Sequence, residues 1–102
     1  MNYQYGDLVK FYEIKEPYYA LISAKNASQC KLIYEDMVSD VDNDKEFIEN
    51  IKVLSITQAI DVLSNGLNEE KEPIGLDDAK IQICDSIISD QATLLLIDGS
   101  LL

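Results

Sequence analysis

The sequence predicts an α+β domain in which a four-stranded, mostly antiparallel sheet is covered on one face by two or three helices. Two observations predict this class. Runs rich in aromatic and β-branched residues, two of them uncharged, are interspersed with segments whose apolar residues recur at spacings of three and four. These segments follow the order ββαβααβ, and a sheet with helices packed on it is the economical way to bury them. At 102 residues, we expect the chain to form one domain, residues 1–102.

The first two strands are predicted to form a β-hairpin. Residues 8–14, with the sequence LVKFYEI, form the first strand, and residues 15–17 form a short turn. The second strand runs from Tyr18 to Ala24. Its lack of charge is typical of a strand that is buried on both faces.

The first helix is predicted from Ala27 to Ser39. Asn26 stands at the cap position, and Gln29 follows three residues later as its capping-box partner. One face of this helix is apolar and contains Ala27, Cys30, Ile33, Tyr34, Met37 and Val38. We expect residues 41–45, which follow the helix, to form a loop.

The second half of the chain is predicted to begin with a strand over residues 51–56. Ser55 and Gln58 resemble a second capping box, which opens a helix that ends near Leu63. Residues 67–75 then form a polar loop. The last strand is predicted over the uncharged residues 92–97.

Residues 79–89 leave two alternatives open. Ile81 and Ile83 alternate as in a strand, but a helical face is continued by Cys84, Ile87 and Ile88. We favour a helix, with Asp77 as its cap and with Leu76 and Ile81 packed together as a hydrophobic staple.

The expected core combines the apolar positions of these elements. Its members are Leu21, Ile22, Ile33, Met37, Val53, Ile60, Leu63, Ile87, Leu95 and Leu96. The two cysteines, Cys30 and Cys84, lie on apolar faces of predicted helices, where a free cysteine behaves as a small hydrophobic residue. We therefore expect both thiols to be reduced, buried and slow to react.

Charge is the most unusual property of the chain. Its 19 acidic residues outnumber 8 basic residues, all of them lysine, so the net charge is −11 and the isoelectric point is about 4.1. Direct binding to nucleic acid or to an anionic membrane is not expected, because both need clustered positive charge. The chain has neither a basic, apolar leader nor a run of about 20 apolar residues, so a cytoplasmic location is expected.

The sequence contains no complete catalytic or metal-binding motif. Residues 40–44 resemble the start of a calcium loop, but Lys45 replaces the glycine at the sixth position and Ile51 replaces the glutamate at the twelfth. Without histidine or arginine, the acidic residues lack the usual support for acid–base catalysis. We therefore expect a protein that is not an enzyme and needs no cofactor or metal.

The best candidate for a binding surface is the acidic segment at the end of the first helix and after it. Its members are Glu35, Asp36, Asp40, Asp42, Asp44, Glu46 and Glu49. Such a surface suits a basic bacterial protein as partner. The alternative is the predicted hairpin and the residues before it, which together contain Tyr3, Tyr5, Tyr12, Tyr18 and Tyr19, because tyrosine is enriched at interfaces.

A resemblance points in the same direction. Residues 18–38, with the sequence YYALISAKNASQCKLIYEDMV, combine a strand that ends in alanine with a capped helix and an Ile-Tyr-acid pattern. This segment resembles small proteins of phages and mobile elements of Gram-positive bacteria. Small acidic proteins of that origin include anti-CRISPR inhibitors, which occupy the basic nucleic-acid surfaces of an RNA-guided nuclease. The resemblance includes no functional motif, so it assigns no functional residue.

Three functional hypotheses follow from these observations. The protein is an inhibitor of a basic bacterial protein such as a CRISPR effector, or an antitoxin or immunity module, or an accessory phage protein whose charge serves solubility. The sequence does not distinguish these three, and it leaves the oligomeric state open.

Overall fold

The computed structural model describes residues 9–67, 71–89 and 91–97. In chain order its elements are β1 (Lys10–Ile14), β2 (Ala20–Ala24), α1 (Ala27–Met37), α2 (Asp44–Asn50), β3 (Lys52–Leu54), α3 (Ile56–Ser64), α4 (Leu76–Ser89) and β4 (Thr93–Ile97). The four strands form one sheet in the order β3-β1-β2-β4, and every neighbouring pair is antiparallel. The predicted α+β class and four-stranded antiparallel sheet are confirmed.

The hairpin of β1 and β2 occupies the centre of the sheet. Tyr12 lies opposite Ile22, and Phe11 lies opposite Ser23. All five residues of β2 are buried, as its lack of charge predicts. The outer strand β4 pairs with β2 through a shift in register between Leu21 and Ile22. The predicted first strand also included Leu8, which lies outside the described residues.

The helices lie on both faces of the sheet, and not on one face as expected. One layer of the core joins Tyr12, Ile22 and Ala24 to Cys30 and Tyr34 of α1 and Phe47 of α2. The other layer joins Phe11, Leu21 and Leu54 to Ala59, Leu63, Ala79 and Ile83 of α3 and α4. Successive residues of a strand point to opposite faces, and consecutive residues of β1 and β2 are apolar. Both faces therefore need a cover, which the four described helices provide.

The predicted cap of α1 is confirmed, with one difference. The Asn26 side chain accepts a hydrogen bond from the Gln29 backbone N–H at 2.8 Å. The Gln29 side chain accepts from the backbone N–H of Lys25 at 2.7 Å, one residue before the cap. The helix ends at Met37, so Val38 and Ser39 lie beyond it.

The predicted loop over residues 41–45 is wrong in its second half, because α2 begins at Asp44. Asn43 caps this helix and accepts a hydrogen bond from the Glu46 backbone N–H at 3.1 Å. A seven-residue helix has too few turns to show a clear apolar period. An asparagine three residues before a glutamate was the available signal. Of its residues only Phe47 is buried.

The elements after α2 follow the prediction, but the strands β3 and β4 are shorter than predicted. The third strand covers only 52–54 of the predicted residues 51–56. The capping box that opens α3 is complete, with Ser55 accepting from the Gln58 backbone at 3.1 Å and Gln58 accepting from the Ser55 backbone at 2.9 Å. Within the predicted loop over residues 67–75, Leu67 forms a β-bridge with Pro73.

Residues 79–89 belong to the helix α4, so the favoured alternative is confirmed, but its cap and buried face are not those predicted. The helix begins at Leu76, so Asp77 lies inside its first turn. Leu76 and Ile81 are both exposed and form no buried staple. The buried face is formed by Ala79, Ile83 and Ser86, while Cys84 and Ile88 point away from the core.

The expected core is largely confirmed. Leu21, Ile22 and Leu63 are buried. A second set is partly buried against the core and comprises Ile33, Ile60, Ile87, Leu95 and Leu96. The prediction that Met37 and Val53 belong to the core is wrong, because each residue is 55% exposed. Met37 is the last residue of its helix, and Val53 lies on the outer strand β3.

The two cysteines differ in burial, and both are free. Cys30 is buried as expected, and burial raises the pKa of its thiol to about 12. The expectation for Cys84 is wrong, because this residue lies on the outer face of α4. None of the helices in the described part of the chain has the length and apolar character that crossing a membrane requires.

Candidate acidic cleft

An open cleft lies between the turn of the central hairpin, the loop after α1, and α2. Its cavity volume is about 220 Å³. Its lining residues are Glu16, Pro17, Asp40, Val41, Asp42, Asn43, Glu46, Phe47 and Asn50. Four of these residues are acidic and none is basic, so we call this feature the acidic cleft.

Three separate parts of the chain place the four carboxylates. Glu16 lies in the turn between β1 and β2, where it precedes Pro17 through a cis peptide bond. Asp40 and Asp42 lie in the loop between α1 and α2. Glu46 lies in the first turn of α2, where a negative side chain is favoured by the helix dipole. All four residues are exposed to solvent.

Tyr34 links two sides of the cleft. Its hydroxyl accepts a hydrogen bond from the Tyr18 backbone N–H at 3.0 Å and donates one to the Tyr18 carbonyl at 2.8 Å. Its ring packs against Phe47, with ring centroids 5.3 Å apart. Tyr18 directly follows the Glu16–Pro17 side of the cleft, and Phe47 lines the α2 side. One buried side chain therefore contacts both sides.

Three of the seven predicted site residues line the cleft: Asp40, Asp42 and Glu46. Two others share a lysine, because the Lys31 ammonium lies 2.6 Å from Glu35 and 3.1 Å from Asp44. The hydrogen bonds with Glu35 and then Asp44 raise the pKa of Lys31, which stays positively charged and offsets part of their charge.

The remaining two predicted site residues, Asp36 and Glu49, are exposed but do not line the cleft. Glu16 is the acidic residue of the cleft that the sequence prediction missed. Its separation from Asp40 along the chain is large, and its place in a turn before Pro17 was the only available signal.

The cleft is open to solvent, and its carboxylate oxygens can accept hydrogen bonds from a bound group. In the described ranges, no three acidic, histidine or cysteine side chains converge in a way that could hold a metal ion. Exposed carboxylates spread along a groove suit a positively charged side chain, which they can contact through charge-assisted hydrogen bonds.

The tyrosines of the hairpin are mostly used within the fold. Tyr12 is buried, and the Tyr19 hydroxyl donates a hydrogen bond to Glu13 at 2.8 Å. Burial, together with this hydrogen bond, raises the pKa of Tyr19. Tyr18 is 40% exposed. Tyr3 and Tyr5 lie outside the described residues.

Comparison with known proteins places the chain in a family. A family model described as the YosH C-terminal domain matches residues 9–96, which include every described helix and strand except the last residue of β4, Ile97. The chain belongs to the YosH C-terminal domain family. No solved structure matches it.

A relative in this family is the SPbeta prophage-derived uncharacterized protein YosH of Bacillus subtilis (strain 168). The two sequences are 33% identical over 95 residues, which is 93% of this chain and 58% of the relative. The chain thus spans less than two thirds of that relative's length. The predicted resemblance to phage and mobile-element proteins of Gram-positive bacteria is confirmed, because this relative is prophage-derived and comes from Bacillus subtilis.

Proposed function

We propose that the protein is a non-enzymatic inhibitor that binds a basic bacterial protein through the acidic cleft. The target uses the same basic surface to hold nucleic acid, and a CRISPR RNA-guided nuclease is one target of this kind. The observation behind the proposal is the grouping of Glu16, Asp40, Asp42 and Glu46 around one open cleft whose lining includes no lysine.

The cleft suits a lysine or arginine side chain of the target. A water molecule takes up about 30 Å³ in the liquid, so a volume of about 220 Å³ admits a long side chain as well as solvent. Carboxylate oxygens accept charge-assisted hydrogen bonds from such a cation at about 2.7–2.9 Å. Pro17 and Phe47 add apolar surface for its aliphatic stem.

The charge of the whole chain supports the encounter with such a target. A net charge of −11 attracts a basic protein over a distance and repels nucleic acid. The inhibitor therefore competes with nucleic acid for the target and does not bind nucleic acid itself. Added salt slows this association, because exposed charges are screened over about 8 Å at physiological ionic strength.

A second candidate function rests on the prophage relative. A prophage-derived homologue also suits an antitoxin or immunity module, or an accessory phage protein whose charge serves solubility. An antitoxin or immunity module would bind one toxin through the same cleft. The two functions differ in whether the captured partner holds nucleic acid.

The test begins with partner capture. The immobilised protein is exposed to a Bacillus subtilis lysate, and each captured protein is tested for competition with its own DNA or RNA. We expect a basic protein whose nucleic acid is displaced. A captured toxin that holds no nucleic acid would favour the second candidate, and the absence of any specific partner would leave charge as a solubility device.

The cleft itself is tested with two matched sets of substitutions. The cleft set is Asp40→Asn, Asp42→Asn and Glu46→Gln, and the control set is Asp36→Asn, Asp61→Asn and Glu49→Gln. Each set removes the same charge from exposed residues, and the control residues do not line the cleft. We expect the cleft set to raise the Kd about tenfold or more and the control set about threefold or less. Equal losses would indicate bulk charge and contradict the proposal.

A further inference from the structure

The outer face of α4 is apolar, although it points away from the core. Ile81 is 58% exposed and Ile88 is 80% exposed, and Cys84 between them is also exposed. We call these three residues the α4 stripe. Their spacing of three and then four residues is that of the narrow seam of a coiled coil. The face that packs in the fold, with Ile83, lies on the opposite side of the helix.

Charged residues stand on both sides of the α4 stripe. Lys80 precedes Ile81, and Asp85 follows Cys84, so the two charges are five residues apart. Within the described residues neither side chain has an ion-pair partner. If Ile81 and Ile88 are a positions and Cys84 is a d position, Lys80 and Asp85 occupy the g and e positions. These positions form ion pairs between the helices of a parallel coiled coil.

We propose that α4 pairs in parallel with α4 of a second copy of this chain, with the two α4 stripes in contact. Lys80 of each copy then faces Asp85 of the other. Such an interface is self-complementary and forms a closed two-fold dimer. An antiparallel pairing would not bring Lys80 and Asp85 together, so the charge pattern favours the parallel arrangement. The acidic cleft lies on the other face of the sheet and is not involved.

The size of the interface predicts a weak dimer. The 14 residues of α4 span about 21 Å, and the seam contains only three apolar residues. A stable interface commonly buries about 800 Å² on each partner, which is more than one such helix face provides. Asp77, four residues before Ile81, occupies a d position and brings two carboxylates together at one end. The net charge of −11 on each copy adds further repulsion.

The first experiment is sedimentation equilibrium in reducing buffer, from about 10 μM to about 1 mM protein. We expect a monomer–dimer equilibrium that shifts towards dimer at higher salt, because screening weakens the repulsion between copies. Ile88→Ser should weaken dimerisation about tenfold. Ile56→Ser, at an exposed isoleucine of α3, is the matched control and should leave it unchanged. Asp77→Leu removes the two carboxylates that face each other at one end of the seam, so it should strengthen dimerisation about tenfold.

The second experiment tests the parallel register. Lys80→Glu and Asp85→Lys should each weaken self-association several-fold, because each variant places like charges opposite one another. An equimolar mixture of the two variants should recover dimerisation as a heterodimer, because opposite charges then face each other at both contacts. The double variant, which exchanges the two charges, should recover dimerisation. A protein that stays monomeric at about 1 mM even with Asp77→Leu overturns the proposal. So does a dimer that Ile88→Ser leaves intact, or a double variant that does not recover.

Discussion

Removal of the Tyr34 hydroxyl is the most direct test of how the acidic cleft is held together. Tyr34→Phe keeps the ring and its contact with Phe47, whose centroid lies 5.3 Å away. It removes two hydrogen bonds to the Tyr18 backbone, of 3.0 and 2.8 Å. The variant therefore isolates the contribution of one oxygen atom that contacts the hairpin side of the cleft.

The expected magnitude follows from those two bonds. Each contributes about 0.5–1.5 kcal/mol net, and a buried backbone group left without a partner costs about 1–3 kcal/mol. Because Tyr18 is 40% exposed, water replaces part of the loss. We therefore expect the free energy of unfolding to fall by about 2 kcal/mol, which lowers Tm by about 8–16 °C for a domain of this size.

Urea unfolding followed by far-ultraviolet circular dichroism measures this loss, and amide hydrogen exchange at Tyr18 reports the local effect. The control is Tyr18→Phe, which removes a hydroxyl but leaves the backbone groups of Tyr18 and both bonds to Tyr34 in place. This control should cost less than about 0.5 kcal/mol, as for a typical exposed site. A Tyr34→Phe loss as small as that of the control, or unchanged exchange at Tyr18, would refute the reasoning.

Two further predictions concern a hydrogen bond to the buried Glu13 and the contrast between the two cysteines. Tyr19→Phe should cost about 1–3 kcal/mol in urea unfolding, because Glu13, which is only 8% exposed, loses its hydrogen-bond donor. Since the pKa of Tyr19 is raised in the fold, its contribution is complete below its ordinary pKa of 10.0 and declines as the pH rises further. Stability that falls equally above pH 10 in wild type and Tyr19→Phe would contradict this. In thiol labelling without denaturant, Cys84 should react quickly and Cys30 slowly, because Cys30 is buried and its pKa is raised to about 12. Equal labelling rates would show that the core opens around Cys30.

Several features of the fold could be predicted because their causes are local in sequence. The caps at Asn26 and Ser55 depend on hydrogen bonds to residues three positions later, so both are visible in the sequence. The hairpin likewise joins adjacent segments through a short turn. The short helix α2 was missed because its seven residues show little periodicity, although Asn43 was a usable signal.

The candidate site could be predicted only in part. Asp40, Asp42 and Glu46 lie close together in sequence, and their density marked the segment. Asp44 belongs to the same run of acids. In the fold, however, its carboxylate lies 3.1 Å from the ammonium group of Lys31 on α1 and does not line the cleft. A dense run of acids identifies a negative surface, but it does not show which carboxylates share a cleft.

The sequence by itself determined the elements other than α2, the antiparallel hairpin and the strongly acidic character of this protein, because these depend on composition and on near neighbours. Only the tertiary structure decided which face of α4 is buried. Ile83 and Ile81 both belong to apolar sets with helical spacing, and packing against α3 and the sheet selects the first. The tertiary structure also brought Glu16 to Asp40 and Asp42, because the buried hydroxyl of Tyr34 holds the hairpin turn beside α1. Such contacts join residues far apart in the chain, and no local pattern encodes which distant partner completes them.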